Sequence, residues 1–114
     1  MIIDVLTDYL NNADLDAPVY TEIPKAGIPD EYYVIEQTGS PQDNQIDKST
    51  IAIRSYAQSM SRAADLAYEM DNIMMNSLKE LAYVSGVRRN TIANFTDPST
   101  KQYRYQGVYV VIHY

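Results

Sequence analysis

The strongest constraint on the fold is one long amphipathic segment, about residues 61–82. Polar side chains recur in it every three or four residues, and apolar side chains fill the complementary face, as in an α-helix that buries one side. Ser59 and Ser61 are candidate N-caps, and Gly86 is a candidate stop. The group Met70, Met74 and Met75 predicts either a core position or an adaptable groove for a partner.

The remaining segments are mostly of strand type. Five stretches combine alternation with β-branched and aromatic residues, and a short amphipathic helix precedes them over residues 2–12. The predicted strands are residues 19–23, 32–38, 49–57, 87–95 and 102–114. We therefore expect an α+β domain over 1–114, with an antiparallel, mixed-order sheet of about five strands. The order is α-β-β-β-α-β-β, the long helix packs on one face of the sheet, and the last two strands form a hairpin.

Residues 39–48 separate two of these strands and are rich in Gly, Ser, Pro, Asp and Asn. That composition predicts a mobile loop of about ten residues, a length that is usually functional or disordered in a small domain.

The last predicted strand has two chemically different faces. Alternation places Tyr103, Tyr105, Tyr109 and His113 on one face, and Val108, Val110, Ile112 and Tyr114 on the other. Tyrosine combines a large rigid ring with one hydrogen-bonding hydroxyl, so the first face suits contact with another protein. It equally suits a second layer of packing within the chain.

The residue inventory offers little chemistry. Cysteine is absent, His113 is the single histidine, and the four glycines cannot assemble a phosphate-binding loop. We therefore expect no catalytic, cofactor-binding or metal-binding residues and no cofactor, and we expect His113 to be an exposed strand residue. Glu36 and Arg54 are predicted to form a cross-strand ion pair.

Charge is unevenly distributed along the chain. Residues 1–85 carry five basic and fourteen acidic side chains, for a net charge of −9, whereas residues 86–114 carry four basic and one acidic, for +3. Opposite patches at two ends of a domain favour head-to-tail association, which closes into a ring when the rotation permits. Local pairing of Arg88 and Arg89 with carboxylates of the same chain would explain the pattern equally well.

The start of the chain, MIIDVLTDYL, has early aspartates and no basic residue. It resembles neither a secretory signal nor a transit peptide, and no apolar run approaches the ~18 residues that a membrane span needs. We expect an aqueous, reducing compartment. The net charge of −6 argues against general affinity for nucleic acid or anionic lipid.

Three stretches together resemble the small minor-capsid or tail-terminator proteins of long-tailed bacteriophages and of their prophages in Gram-positive bacteria. They are VIEQTGSPQD (34–43), SYAQSMSRAADLAYEMDNIM (55–74) and VRRNTIANFTDPSTKQYRYQGVYVV (87–111). The resemblance covers nearly the whole chain, and the predicted element order agrees with the order in that family.

The resemblance implies a structural protein that forms a ring, commonly a hexamer, at the head-proximal end of the tail tube. Its implied partners are further copies of itself, the major tail-tube protein and the head–tail connector proteins, with no membrane and with DNA passing only through the lumen. It implies assembly in the host cytoplasm and a final place in the virion. Candidate contact residues are Gln42, Asp43, Asn44, Arg88, Arg89, Lys101, Tyr103, Arg104 and Tyr105.

Two other classes of function fit the composition. A monomeric acidic binding module, such as an inhibitor that mimics DNA, would use the net charge of −6. A small hydrolase relying on Asp or Glu would use the many carboxylates, although they are scattered along the chain.

Overall fold

A computed structural model describes residues 2–13, 15–39, 42–43, 46–96, 99 and 102–114. The α+β fold predicted from the sequence is confirmed. In chain order the elements are α1 (Ile2–Asn11), β1 (Val19–Tyr20), β2 (Tyr32–Gly39), β3 (Gln42–Asp43), β4 (Ile46–Ala57), α2 (Met60–Asn76), a 3₁₀ turn (Leu78–Glu80), β5 (Val84–Asn94) and β6 (Tyr103–His113).

The strands of the described residues form one sheet in the order β1-β2-β4-β6-β5. All its neighbours are antiparallel except β1, which runs parallel to β2, and β3 pairs with the start of β4 beside this path. The eleven-residue strand β5 therefore lies at one edge of the sheet and pairs with β6 alone.

The long helix α2 packs its apolar face on the sheet, as predicted. Ser59 is its N-cap, because the Ser59 side chain accepts a hydrogen bond from the amide of Arg62 at 3.2 Å. Met70 and Met74 are at most 1% exposed. They belong to the core and Met75 packs against it, so the alternative prediction of an adaptable methionine groove is wrong.

The short helix α1 packs on the same side of the sheet through Ile2, Leu6 and Leu10. The side chain of Asn11 at its end accepts a hydrogen bond from the amide of Val19 and donates one to the carbonyl of Val19, both at 2.9 Å. This pair of bonds ties the end of α1 to strand β1.

Several predicted boundaries are wrong. Residues 39–48 are not a mobile loop where they are described, since Gln42–Asp43 pairs with Ile46 and Asp47, and β4 begins at Ile46 rather than at 49. Turn-forming residues near the end of a hairpin resemble a loop in sequence, because Gly, Ser, Pro, Asp and Asn favour both. The strand predicted over 19–23 is reduced to Val19–Tyr20.

The long helix ends at Asn76 rather than near 82. A 3₁₀ turn follows, and Leu81 adopts an extended backbone that leads into β5. Gly86, predicted as the helix stop, lies within β5 opposite Ile112. The apolar positions Leu78 and Leu81 continued the helical spacing, although a tighter turn delivers them to the same core.

The face of β6 that was predicted to suit contact with another protein is the more deeply buried of its two faces. Tyr109, Val111 and His113 are at most 4% exposed and lie on the helix side, whereas Val108, Val110 and Ile112 are half-buried on the other side. The hydroxyl of Tyr109 finds an acceptor on α2, which permits burial of the ring. The alternative of packing within the chain is therefore correct for this face.

Within the described ranges, neither helix combines the length and the apolar character required to cross a membrane.

Candidate assembly surfaces

The sheet face opposite the helices, called here the open face, carries an apolar strip along β6. Val108, Val110 and Ile112 are half-buried there, and Thr50 of β4 lies beside Val110. Neither α1 nor α2 covers this strip, because both pack on the other face. Half-buried aliphatic groups on one side of a two-layer domain are suited to contact with a further molecule.

The predicted ion pair crosses the open face between β2 and β4. Nη2 of Arg54 lies 3.6 Å from Oε2 of Glu36, and the Glu36 side chain is 53% exposed. The pair therefore holds the Glu36 carboxylate on the open face, near the edge formed by β2.

Arg88 and Arg89 are neighbours in β5 but point to opposite faces. Nη1 of Arg89 donates a 2.7 Å hydrogen bond to Oδ2 of Asp71 on α2, which is the local pairing that the charge pattern also allowed. Arg88 is exposed on the open face beside Val110, and it has no ion pair or hydrogen bond with another side chain of the described residues. Of the two predicted contact residues, Arg88 is thus the one left for a partner.

The other predicted residues of β6 lie at the far end of the sheet. Arg104 donates from Nε to the carbonyl of Phe95 at 2.7 Å, and its guanidinium lies over the rings of Phe95 and Tyr56. Tyr105 packs against the core, whereas Tyr103 stays 37% exposed.

Gln42 and Asp43 lie at the opposite end. The backbones of Gln42 and Asp43 form β3 beside the start of β4, while Asn44 and Lys101 lie outside the described residues. The start of β4 pairs with the end of β6, so β3 and Arg104 are separated by nearly the length of β6, about 30 Å. The predicted residues that the structure describes therefore do not form one patch.

An aromatic cleft near Arg104 was not predicted. The rings of Tyr32 and Tyr56 stack at 4.7 Å between centroids, with 10° between their planes. They line a cleft of about 380 Å³ together with Ile28, Gln102 and others. Burial raises the pKa of Tyr32, so its hydroxyl is neutral at ordinary pH. The sequence signal was the pair of tyrosines at matching positions of two adjacent predicted strands.

His113 is buried, contrary to the prediction that it is exposed. Its Nε2 lies 2.8 Å from Oγ of Ser49, and the ring of Tyr83 stacks on it at 5.4 Å. Ser49 is fully enclosed and also accepts a hydrogen bond from Gln37 at 3.3 Å. A substrate cannot reach this serine in the described conformation, so the pair serves as a polar tie between β4 and β6.

Carboxylates gather around Arg62 at the start of α2. Glu31 accepts two hydrogen bonds from Arg62, at 2.7 and 2.8 Å, which hold the pKa of Glu31 below its usual range. Asp16 and Asp65 lie 3.8 and 3.7 Å from the same guanidinium. Across the described residues, no group of three or more His, Asp and Glu side chains is placed to hold a metal ion.

No family model matches the chain, and no curated protein matches it.

Proposed function

We propose that this chain is a structural protein of the head–tail junction of a long-tailed phage or prophage. It assembles as a hexameric ring, which caps the tail tube and offers a docking surface to the connector. Assembly takes place in the host cytoplasm, and the protein ends in the virion. The resemblance of residues 34–43, 55–74 and 87–111 motivates this proposal.

The observation that carries the proposal is the incomplete cover of the sheet face opposite the helices, where Tyr32, Val34 and Tyr56 are buried but the apolar strip of β6 is only half-buried. Both helices lie on one face, which leaves the apolar strip of β6, the exposed Arg88 and the edge strand β5 for contacts with other molecules. A ring subunit needs two different surfaces, each of which binds the other one on a neighbouring copy. A sheet with two different edges supplies such surfaces.

The acidic balance of the chain also supports a ring around DNA. Each subunit has a net charge of −6, and an acidic lumen wall would repel the phosphate backbone rather than hold it. By contrast, the carboxylates around Arg62 are partly neutralised, which lowers the support for a DNA-mimicking inhibitor.

The test is sedimentation and native mass spectrometry over a range of protein and salt concentrations, with and without the tail-tube protein of the same phage or prophage. We expect ring-sized species alone or on tube ends, and tubes that stop growing when the protein is present. A chain that stays monomeric under both conditions and leaves tube growth unchanged would contradict the proposal. Competition with DNA in a nuclease assay would favour the inhibitor instead.

A pair of charge reversals sharpens the test. Arg88→Glu should weaken assembly at low salt, because Arg88 is exposed and has no partner among the described side chains. Lys25→Glu makes the same change of charge in the exposed loop before β2 and should assemble as the unmodified chain does. Equal effects of the two reversals would mean that net charge, rather than the surface around Arg88, controls assembly.

A further inference from the structure

The sheet has two incompletely paired edges that face in opposite directions. One is β5, which pairs only with β6. The other is the second half of β2, because β1 pairs with Tyr33 and Val34 and no other described segment pairs with the outer side of Ile35–Gly39. Exposed edges of this kind are templates for pairing with another strand.

Both edges direct backbone groups outward. The amide of Tyr33 donates to the carbonyl of Pro18 at 2.9 Å, away from β4, so the amides of Ile35 and Gln37 also point away from β4. The amide of Phe95 donates to the carbonyl of Arg104 at 2.9 Å, toward β6. By alternation, the amide of Ile92 points away from β6.

We infer that β5 of one copy pairs with the free half of β2 of the next copy, so that the sheet continues from subunit to subunit. This inference deepens the proposed function and rests on it, since it specifies the contact between ring subunits.

Strand direction favours this contact. β2, β4, β6 and β5 alternate in direction, so β5 runs opposite to β2. If the axis of the ring runs along the strands, each strand points in the same direction in every copy. The contact between β5 and the next β2 is therefore antiparallel, the slightly more stable arrangement.

The two edges also lie at the same height in the sheet. Ile35 is opposite Ile53, Ile53 is opposite Gly107, and Gly107 is opposite Ile92. Copies placed side by side without a shift along the strands would bring the free half of β2 to the outward amide of Ile92.

Charge selects the pairing of unlike edges. Two β5 edges would bring together Arg88 of both copies, which is unfavourable because Arg88 has no ion pair among the described residues. The β2 edge instead carries the exposed Glu36, and the neighbouring helix α1 exposes Asp8. A basic edge therefore meets an acidic one, which favours head-to-tail pairing over pairing of identical edges.

The experiment removes one outward amide on each edge. Ile92→Pro blocks the β5 edge and Gln37→Pro blocks the β2 edge, without removing a hydrogen bond between neighbouring strands of the same copy. Ile92→Val and Gln37→Ala are the matched controls, because they change the side chain and keep the amide. Circular dichroism and thermal unfolding establish which variants are folded.

We expect each proline variant to require about tenfold more protein for assembly than its control. The reason is that proline removes one hydrogen bond between copies and adds a steric conflict. Mixed in equal amounts, the two variants should form a heterodimer and nothing larger, because one intact edge of each kind remains. Native mass spectrometry resolves these species; if the unmodified chain assembles only on tubes, the same variants are compared on tube ends by electron microscopy.

A charge exchange gives a second test that does not involve proline. Arg88→Glu alone and Glu36→Lys alone each create edges of like charge and should assemble poorly. Their mixture restores opposite charges at every contact and should assemble.

The outcomes separate this inference from the proposed function. Rings formed equally well by either folded proline variant, dimers of Gln37→Pro alone, or a charge-exchange mixture no better than its components would overturn the inference while leaving ring formation intact. An unmodified chain that never assembles, alone or with tubes, would overturn both.

Discussion

The hydroxyl of Tyr109 lies 3.0 Å from Oδ1 of Asp71 and joins the middle of β6 to the middle of α2. The other oxygen of Asp71 accepts from Arg89 of β5, so one carboxylate connects the helix to two strands. Gly107 makes room for this arrangement, since a Cβ there would lie 2.9 Å from the ring of Tyr109. The helix and the edge of the sheet are therefore held in one relative position.

Tyr109→Phe should lower the free energy of unfolding by about 2 kcal/mol, because it removes a hydrogen bond to a largely buried carboxylate. Urea unfolding measures the change. Tyr103→Phe is the matched control on the same strand, since Tyr103 is 37% exposed, and should change stability by less than about 0.5 kcal/mol. Equal losses in the two variants would show that the bond to Asp71 contributes nothing.

Arg89→Ala and Arg88→Ala should differ in their effect on folding. Arg89 pairs with Asp71, whose side chain is 13% exposed, so Arg89→Ala should cost about 0.5–1 kcal/mol. Arg88→Ala should stay within about 0.5 kcal/mol, because Arg88 is exposed on the open face. The same urea experiment separates them, and a larger loss for Arg88→Ala would contradict the assignment of partners.

The protein should lose stability in alkaline solution. Burial raises the pKa of both Tyr33 and Tyr109 far above its usual value. Above about pH 10 the unfolded chain releases these protons and the folded chain keeps them. The contribution of these two tyrosines to the free energy of unfolding should therefore be constant below pH 10 and fall above it by about 1.4 kcal/mol per pH unit for each of them.

Denaturant titrations between about pH 9 and 12 measure this slope. Tyr33→Phe should reduce it, whereas Tyr68→Phe should leave it unchanged because Tyr68 is 57% exposed. A slope that is the same in both variants would exclude Tyr33 as its source.

Acid should weaken the contact between Glu31 and Arg62. The pKa of Glu31 is lowered by hydrogen bonds from Arg62, so its contribution is present above the unfolded pKa of about 4.3 and is lost as the pH falls through the folded pKa. Glu31→Gln should lower the urea midpoint at pH 7, and the difference from the unmodified chain should disappear in strong acid. Glu22→Gln, in an exposed loop, is the control.

A charge in the centre of the apolar face of α2 should prevent folding. Met70 is 1% exposed, and Met70→Asp would bury a carboxylate without a partner. Tyr68→Asp places the same group on the exposed side of the helix and should cost less than about 1 kcal/mol. Circular dichroism distinguishes the two outcomes, and a folded Met70→Asp variant would contradict the assigned core.

The sequence by itself determined the class of fold, because periodicity is a local property. The apolar spacing of residues 61–82 predicted a helix on a sheet, and Ser59, its N-cap, was one of the two candidates together with Ser61. The same pattern could not show where the helix ends, since Leu78 and Leu81 reach the core through a 3₁₀ turn that keeps the helical spacing.

Only the tertiary structure decided which face of β6 is buried, whether Arg89 is available to a partner, and where the incompletely paired edges of the described sheet lie. Each depends on a partner distant in sequence: Asp71 accepts from both Tyr109 and Arg89, and Ser49 faces His113. Alternation separates the two faces of a strand, but burial follows from which face meets a second layer and finds acceptors for its polar tips.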